Sequence, residues 1–245
     1  MQIKISLQPE DKEYLELPLN YNYLIQSAIY KNIFPELAGF LHNQGFKYEK
    51  RTFKMFSFSR ILGPFKINKG KGKITFQKPE FVITTPIQEL TQSVGNFILK
   101  DRLRLGDAYV AVTNVEVRKQ KVEHEMIVLQ ALSPITVYST AILADGRKYT
   151  IYYGPEDKYF ESIIDGNLRK KYCALNGKEV FEESVKLEKL SNARLNVVKF
   201  KGTIIKGYTF KLRLKGPKEL LQLAVDTGLG SKNSQGFGCV ELVEQ

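Results

Sequence analysis

Hydrophobic and polar positions alternate with different periods along this chain, and each change of period marks an element. Residues 2–8, QIKISLQ, set Ile3, Ile5 and Leu7 against Lys4, Ser6 and Gln8, and this period of two predicts a half-buried strand. From Asn20 the spacing turns helical: Tyr21, Leu24, Ile25, Ala28 and Ile29 form one stripe, with Asn20 as the expected N-cap. Pro35 interrupts that pattern and suits the first position of a second helix, PELAGFLHN, which Gly45 ends. Phe53 to Phe65 and Lys71 to Phe76 read as two strands joined through INKGKG. TPIQELTQSVGNFILKDR, residues 85–102, follows as a helix capped by Thr85 with Pro86 at its first position, and AYVAVTNVEV as a strand.

The remaining chain repeats this order. MIVLQAL predicts a strand, and GPEDKYFESIIDGNLRKKY a helix with Tyr159, Phe160, Ile163 and Ile164 on one face. Two strands are expected within 180–200 and 203–215, then GPKELLQLAVDTG as a helix and CVELV as a last strand. TPIQEL before one closing strand and GPKELL before the other suggest duplication. The expected class is α+β: two tandem ferredoxin-like, RRM-like βαββαβ domains, residues 1–118 and 126–245, joined by a polar linker at 119–125.

Charge sharpens this outline. Lys and Arg total 37 against 26 Asp and Glu, a net charge of +11, which favours a polyanionic partner. Residues 51–79 carry eight basic residues and no acid, and residues 189–218 carry nine, again with no acid. Along YTFKLRLK, Lys211, Arg213 and Lys215 alternate with Phe210, Leu212 and Leu214, so a cationic sheet face is expected opposite the packed one. Two cysteines and two histidines cannot build a Cys/His zinc site, so no metal or other cofactor is expected. No apolar run reaches the roughly 18 to 20 residues of a membrane span, and the first residues lack the order of a signal peptide. A cytoplasmic protein without a membrane partner is the expectation.

The densest glycine cluster is GLGSKNSQGFGCVEL, residues 228–242. It is not a phosphate-binding P-loop, because it lacks GK[ST] and a strand follows where a helix is required. QGFGCVEL partly matches an RNA-recognition pattern, but Cys239 and Leu242 stand where stacking aromatics belong. What remains is a glycine-lined turn suited to a sugar-phosphate backbone or to the neighbouring domain.

G-apolar-G, five residues and G-apolar-G between the last helix and last strand of tandem ferredoxin-like domains resembles the signature glycine loop of the CRISPR repeat-specific endoribonucleases. These belong to the repeat-associated mysterious protein superfamily. LSPITVY (132–138) and RTFKMFSFSRI (51–61) are similar to that family too. The resemblance implies metal-independent cleavage of precursor CRISPR RNA, in which a ribose 2′-OH attacks the adjacent phosphate to leave a cyclic phosphate and a 5′-OH. Such a reaction needs a base, an acid and positive charge. The resemblance places these roles on Tyr30, His42 and Lys47, with Lys50 close by. It also implies RNA contacts from Gly228, Gly230, Ser231, Lys232, Asn233, Gly236 and Gly238, alongside Lys211, Arg213 and Lys215. The implied partner is CRISPR repeat RNA; an effector complex and a homodimer are left open. In one straight helix Tyr30 and His42 would stand about 18 Å and roughly 120° apart, so sharing a phosphate requires the break at Pro35. The rival readings are a non-catalytic RNA-binding member of the same superfamily and a small-ligand regulatory protein on tandem ferredoxin-like domains.

Overall fold

The computed structural model describes residues 1–10, 12–99, 102–177 and 181–244. Its N-terminal half runs β1 (Gln2–Pro9), β2 (Leu15–Pro18), α1 (Asn22–Asn32), α2 (Pro35–Asn43), β3 (Phe46–Tyr48), β4 (Arg51–Phe53) and β5 (Ser57–Phe58). It continues with β6 (Phe65–Asn68), β7 (Lys73–Phe76), β8 (Glu80–Thr84), α3 (Gln88–Gln92), α4 (Gly95–Leu99), β9 (Leu103–Leu105) and β10 (Ala108–Arg118). The C-terminal half comprises β11 (Met126–Ala131), β12 (Val137–Ile142), β13 (Lys148–Tyr153), α5 (Phe160–Asn176) and β14 (Lys186–Lys189). After these come β15 (Arg194–Phe200), β16 (Thr203–Thr209), β17 (Lys211–Lys215), α6 (Lys218–Thr227) and β18 (Val240–Glu244).

The two main sheets share one antiparallel order. It is β5-β8-β1-β10, extended by β9, in the first half and β14-β17-β11-β18 in the second. In both, the first and third sheet strands are central and the second and fourth flank them, which is the ferredoxin-like order. The chain is two such units in tandem.

The alternation in QIKISLQ places Ile3, Ile5 and Leu7 in the core. The stripe from Tyr21 to Ile29 is buried as well, against Leu41, Phe56 and Phe58. The second core joins Ile127 and Leu129 of β11 to Leu212 and Leu214 of β17, Leu168 of α5 and Leu221 of α6.

Several expectations need correction. Residues 65–68 and 73–76 are not sheet partners of β1; they form a side hairpin with β2. The third sheet strand, beside β1, is β8, where Phe81, Val82 and Ile83 are all buried and the alternation is lost. Both faces of that strand are covered, so no period-two pattern remains. The helix expected over 85–102 is two short ones, its end falling on residues 100 and 101 outside the described set. Thr85 Oγ1 accepts from the Ile87 amide, before the first of them. The strand expected from 180 begins partly outside the described residues and is instead β14 and the start of a separate β15–β16 hairpin. Asn20 caps nothing in α1, whose N-cap position is Tyr21; its Oδ1 accepts from the Lys199 amide at 3.0 Å, joining the halves. The segment after β10 is no free linker, because Val122 is buried and Gln222 of α6 bonds both Val122 and Gln120.

Candidate active site and nucleic-acid cleft

Pro35 produces the break that the site requires. Its ring fixes φ for a first helical turn while disfavouring helical angles at the residue before it, and Phe34 is extended at φ −53°, ψ 135°. α2 therefore turns back beside α1, and His42 in its last turn comes edge-on to Tyr30, with ring centroids 6.2 Å apart at 88°. Tyr30 is more committed than a polar-face position suggests: its ring packs on Phe56 at 5.9 Å and against the first core. Burial pushes its phenol up to about 12, so at neutral pH it is a hydrogen-bond donor. His42 Nδ1 lies 2.9 Å from Asn43 Oδ1. With that oxygen accepting, the imidazole carries its hydrogen on Nδ1 and presents the Nε2 lone pair.

Lys47 is exposed on β3 between the half-buried Phe46 and Tyr48, and strand alternation turns it to the face opposite Phe46, whose ring packs on Phe40 of α2. Lys50 lies exposed in the connecting turn. The lysine that reaches the pair is Lys54, whose Nζ donates to the His42 carbonyl at 3.2 Å, an acceptor left open at a helix end. Burial holds its ammonium below the usual lysine range. Sequence reading missed it because the chain bends at the next residue. Met55 sits at φ 52°, a left-handed conformation rare for a side chain of this size. Its carbonyl is held by Thr85 Oγ1 at 2.8 Å. The only available signal was its place in the first acid-free segment.

Lys54 and Phe56 line a cleft of about 360 Å³ between the halves. Arg51 completes the N-terminal wall, while Tyr138, Asn167, Lys171 and Gly230–Gln235 form the other. Four basic side chains line it, and among the described residues no carboxylate does. Lys171 of α5 is fully enclosed; its Nζ donates to the Gly228 carbonyl at 2.7 Å and the Thr227 carbonyl at 3.4 Å, at the C-terminus of α6. Burial pulls its ammonium down to about 7. Lys232, also lowered by burial, stands 5.4 Å from the Tyr138 ring centroid.

The glycine loop fixes the geometry of this cleft. Gly236 lies at φ +85°, and a Cβ there would meet the Phe58 ring at 2.6 Å and Asn22 Nδ2 at 2.7 Å, both from the other half. At Gly238, φ +69°, a Cβ would stand 1.9 Å from the Leu229 carbonyl oxygen. Asn22 Nδ2 donates to the carbonyls of Gln235 at 3.1 Å and Gly236 at 3.2 Å, and Gln26 Nε2 to that of Ser234 at 2.7 Å. Gly228 and Gly238 are buried with Gly236. Asn233 spends its amide on the Leu229 and Phe237 carbonyls, so it staples the loop. Gly230, Ser231 and Lys232 face the cleft with it.

Lys211, Arg213 and Lys215 lie on β17, on the face opposite the buried Leu212 and Leu214. That face is less cationic than its segment suggests, because Arg213 pairs with Glu188 of β14, its neighbour in the register, at 2.5 Å. Glu188 lies just outside the acid-free run. Among the described residues no three His, Cys, Asp or Glu side chains cluster as a metal site, and no helix is long and apolar enough to cross a membrane.

Comparison with known proteins places the whole chain. The family description "CRISPR associated protein Cas6, C-terminal" matches residues 116–242, and "CRISPR-associated protein Cas6, N-terminal" matches residues 16–116. The chain is 28% identical over 253 residues to the CRISPR-associated endoribonuclease Cas6 of Pyrococcus furiosus, covering 99% of this chain and 90% of that protein. It is 30% identical over 262 residues to the CRISPR-associated endoribonuclease Cas6 1 of Methanocaldococcus jannaschii, covering 100% and 93%. A solved structure of a CRISPR associated protein Cas6 superposes with a TM-score of 0.80 at 26% identity, over 100% of this chain and 99% of that one. The chain belongs to the CRISPR-associated Cas6 family.

Proposed function

We propose that this protein is an endoribonuclease that cuts precursor CRISPR RNA within its repeats, through attack of a ribose 2′-OH on the adjacent phosphate. The observation that carries the reading is the approach of the Tyr30 and His42 rings to 6.2 Å, with Lys54 bonded to the His42 backbone and lining a cleft to which no described residue contributes a carboxylate. His42 Nε2 takes the 2′-OH proton, a task suited to imidazole near neutrality. The Tyr30 phenol, kept protonated, gives its proton to the departing 5′-oxygen, and the His42 imidazolium afterwards releases the proton it took to solvent. Lys54, in the role first assigned to Lys47, supplies charge to the phosphorane, where a preorganised cation in a partly dry site has most effect. The products are a 2′,3′-cyclic phosphate and a 5′-OH.

Bound RNA follows the cleft along Arg51, Lys54, Ser231 and Lys232, so affinity falls as salt rises. Family membership supports the RNA substrate, and the paired rings support catalysis over binding alone. The test is single-turnover cleavage of the host repeat by His42→Ala. The expected result is a loss of about a thousandfold in rate, within the range for general acid–base groups, with affinity for the repeat unchanged. Cleavage at the wild-type rate would remove His42 from the reaction.

A further inference from the structure

Asn167 lies one turn before Lys171 on α5, so both side chains face the same side of that helix. Asn167 is 7% exposed, yet its Oδ1 is buried without a hydrogen-bond partner. Gln235 Oε1, across the same cleft in the glycine loop, is buried and unpartnered too. Lys171 does not serve them, because its ammonium is turned to the carbonyls ending α6. Buried polar groups almost always find partners, and two orphaned amides lining one cleft mark a place where a ligand completes the hydrogen bonding.

The chemistry of the orphans selects the ligand. Phosphate offers no donor to an amide oxygen. A side-chain amide that accepts at oxygen and donates at nitrogen matches the adenine edge, with its amine and neighbouring ring nitrogen. The second hydrogen of the same amine suits Gln235 Oε1. The cleft volume of about 360 Å³ accommodates one nucleotide, Tyr138 and Phe56 give it aromatic walls, and Arg51 and Lys54 stand ready for its phosphate.

We propose that Asn167 and Gln235 form a base-reading pocket that takes one adenine of the bound RNA. The inference rests on the RNA-cleaving function above and adds to it a determinant of sequence specificity in the C-terminal half.

The test measures binding with RNA made uncleavable by 2′-deoxy substitution. Each adenine of the host repeat is replaced in turn by purine, which lacks only the amine. One position is expected to weaken binding to the wild-type protein roughly tenfold, the scale of a good amide–base pair. Asn167→Leu should weaken the parent RNA by a similar factor and be indifferent to the purine at that position. Its thermal midpoint should match or exceed the wild type, since the change removes an unsatisfied buried amide. Tight binding with no amine-sensitive position would overturn this pocket alone. Equal weakening by Asn167→Leu of every RNA, with a lowered midpoint, would overturn it as well and make Asn167 an internal packing residue. Absence of all RNA affinity would overturn the functional reading with it.

Discussion

After the first sheet strand, each half of the molecule carries a helix in the same topological place, α1 in one and α5 in the other. The first is stopped and reversed at Pro35, while the second runs unbroken for 17 residues. The interruption brings His42 back beside Tyr30 and leaves the imidazole exposed. The unbroken helix instead presents Lys171 and Asn167 to the interior, where burial and orphaned atoms dominate their chemistry. On the proposed mechanism, one architecture used twice divides the work: the N-terminal half would supply the proton-transfer groups, and the C-terminal half the loop and buried polar groups that hold the RNA. The structural difference behind that division is a single break at Pro35, which turns α2 back so that His42 meets Tyr30.

The comparison breaks most severely if the glycine loop stops locking the halves together. Gly238→Ala adds a Cβ 1.9 Å from a carbonyl oxygen at a positive φ, and the expected loss is about 3 kcal/mol or more, read as a lowered midpoint in denaturant. Wild-type stability would show that the loop relaxes freely and does not set the cleft.

The assignment of charge to Lys54 is sharpened by a paired experiment. Lys54→Ala is expected to slow cleavage about a hundredfold, the lower end of effects for removing one electrostatic stabiliser. Lys47→Ala should leave the rate nearly unchanged. The opposite ranking would return the role to Lys47 and require the β3–β4 hairpin to rearrange on RNA.

Lys171 gives a pH signature confined to the C-terminal half. Its folded value of about 7 lies below the ordinary 10.5, so between those limits the unfolded chain binds a proton that the folded chain has shed. Stability therefore rises with pH across that window, by up to about 1.4 kcal/mol per unit. Lys171→Met should flatten the slope, as measured by denaturant midpoints at several pH values. An unchanged slope would mean that the carbonyls of Thr227 and Gly228 keep the ammonium fully charged.

Asn22→Ala removes two hydrogen bonds from α1 to the loop and is the mildest change. A loss of about 1–2 kcal/mol is expected, with a smaller drop in cleavage than in stability. A larger drop in cleavage would place loop position, rather than fold, in control of the rate.

Much of this was legible in the residues. Periods of two and of 3.6 found β1, α1, α5 and α6, and the repeated order gave the tandem fold. β8 escaped because burial on both faces erased its alternation, whereas β5 lies inside the strand read over Phe53 to Phe65, of which only Ser57 and Phe58 join the main sheet. The side hairpins β6–β7 and β15–β16 have real strand patterns, so only pairing in space separates them from the main sheets. At the site, only the family resemblance named Tyr30 and His42; the residues themselves supplied Pro35, the break that lets the two rings meet. Lys54 could not, since its position depends on the left-handed turn at Met55, a residue type that does not announce one. Lys171 and Asn167 went unremarked in the sequence, because a helix pattern does not show that the end of α6 and the glycine loop fold over them.

The most direct test of the central claim is incubation of the protein with its host repeat RNA in chelator, beside copies bearing one 2′-deoxyribose at each position in turn. The account predicts a single cut that one substitution abolishes, leaving a 2′,3′-cyclic phosphate and a 5′-OH. Tight binding with every RNA left whole would contradict it and make the cleft a site of RNA retention.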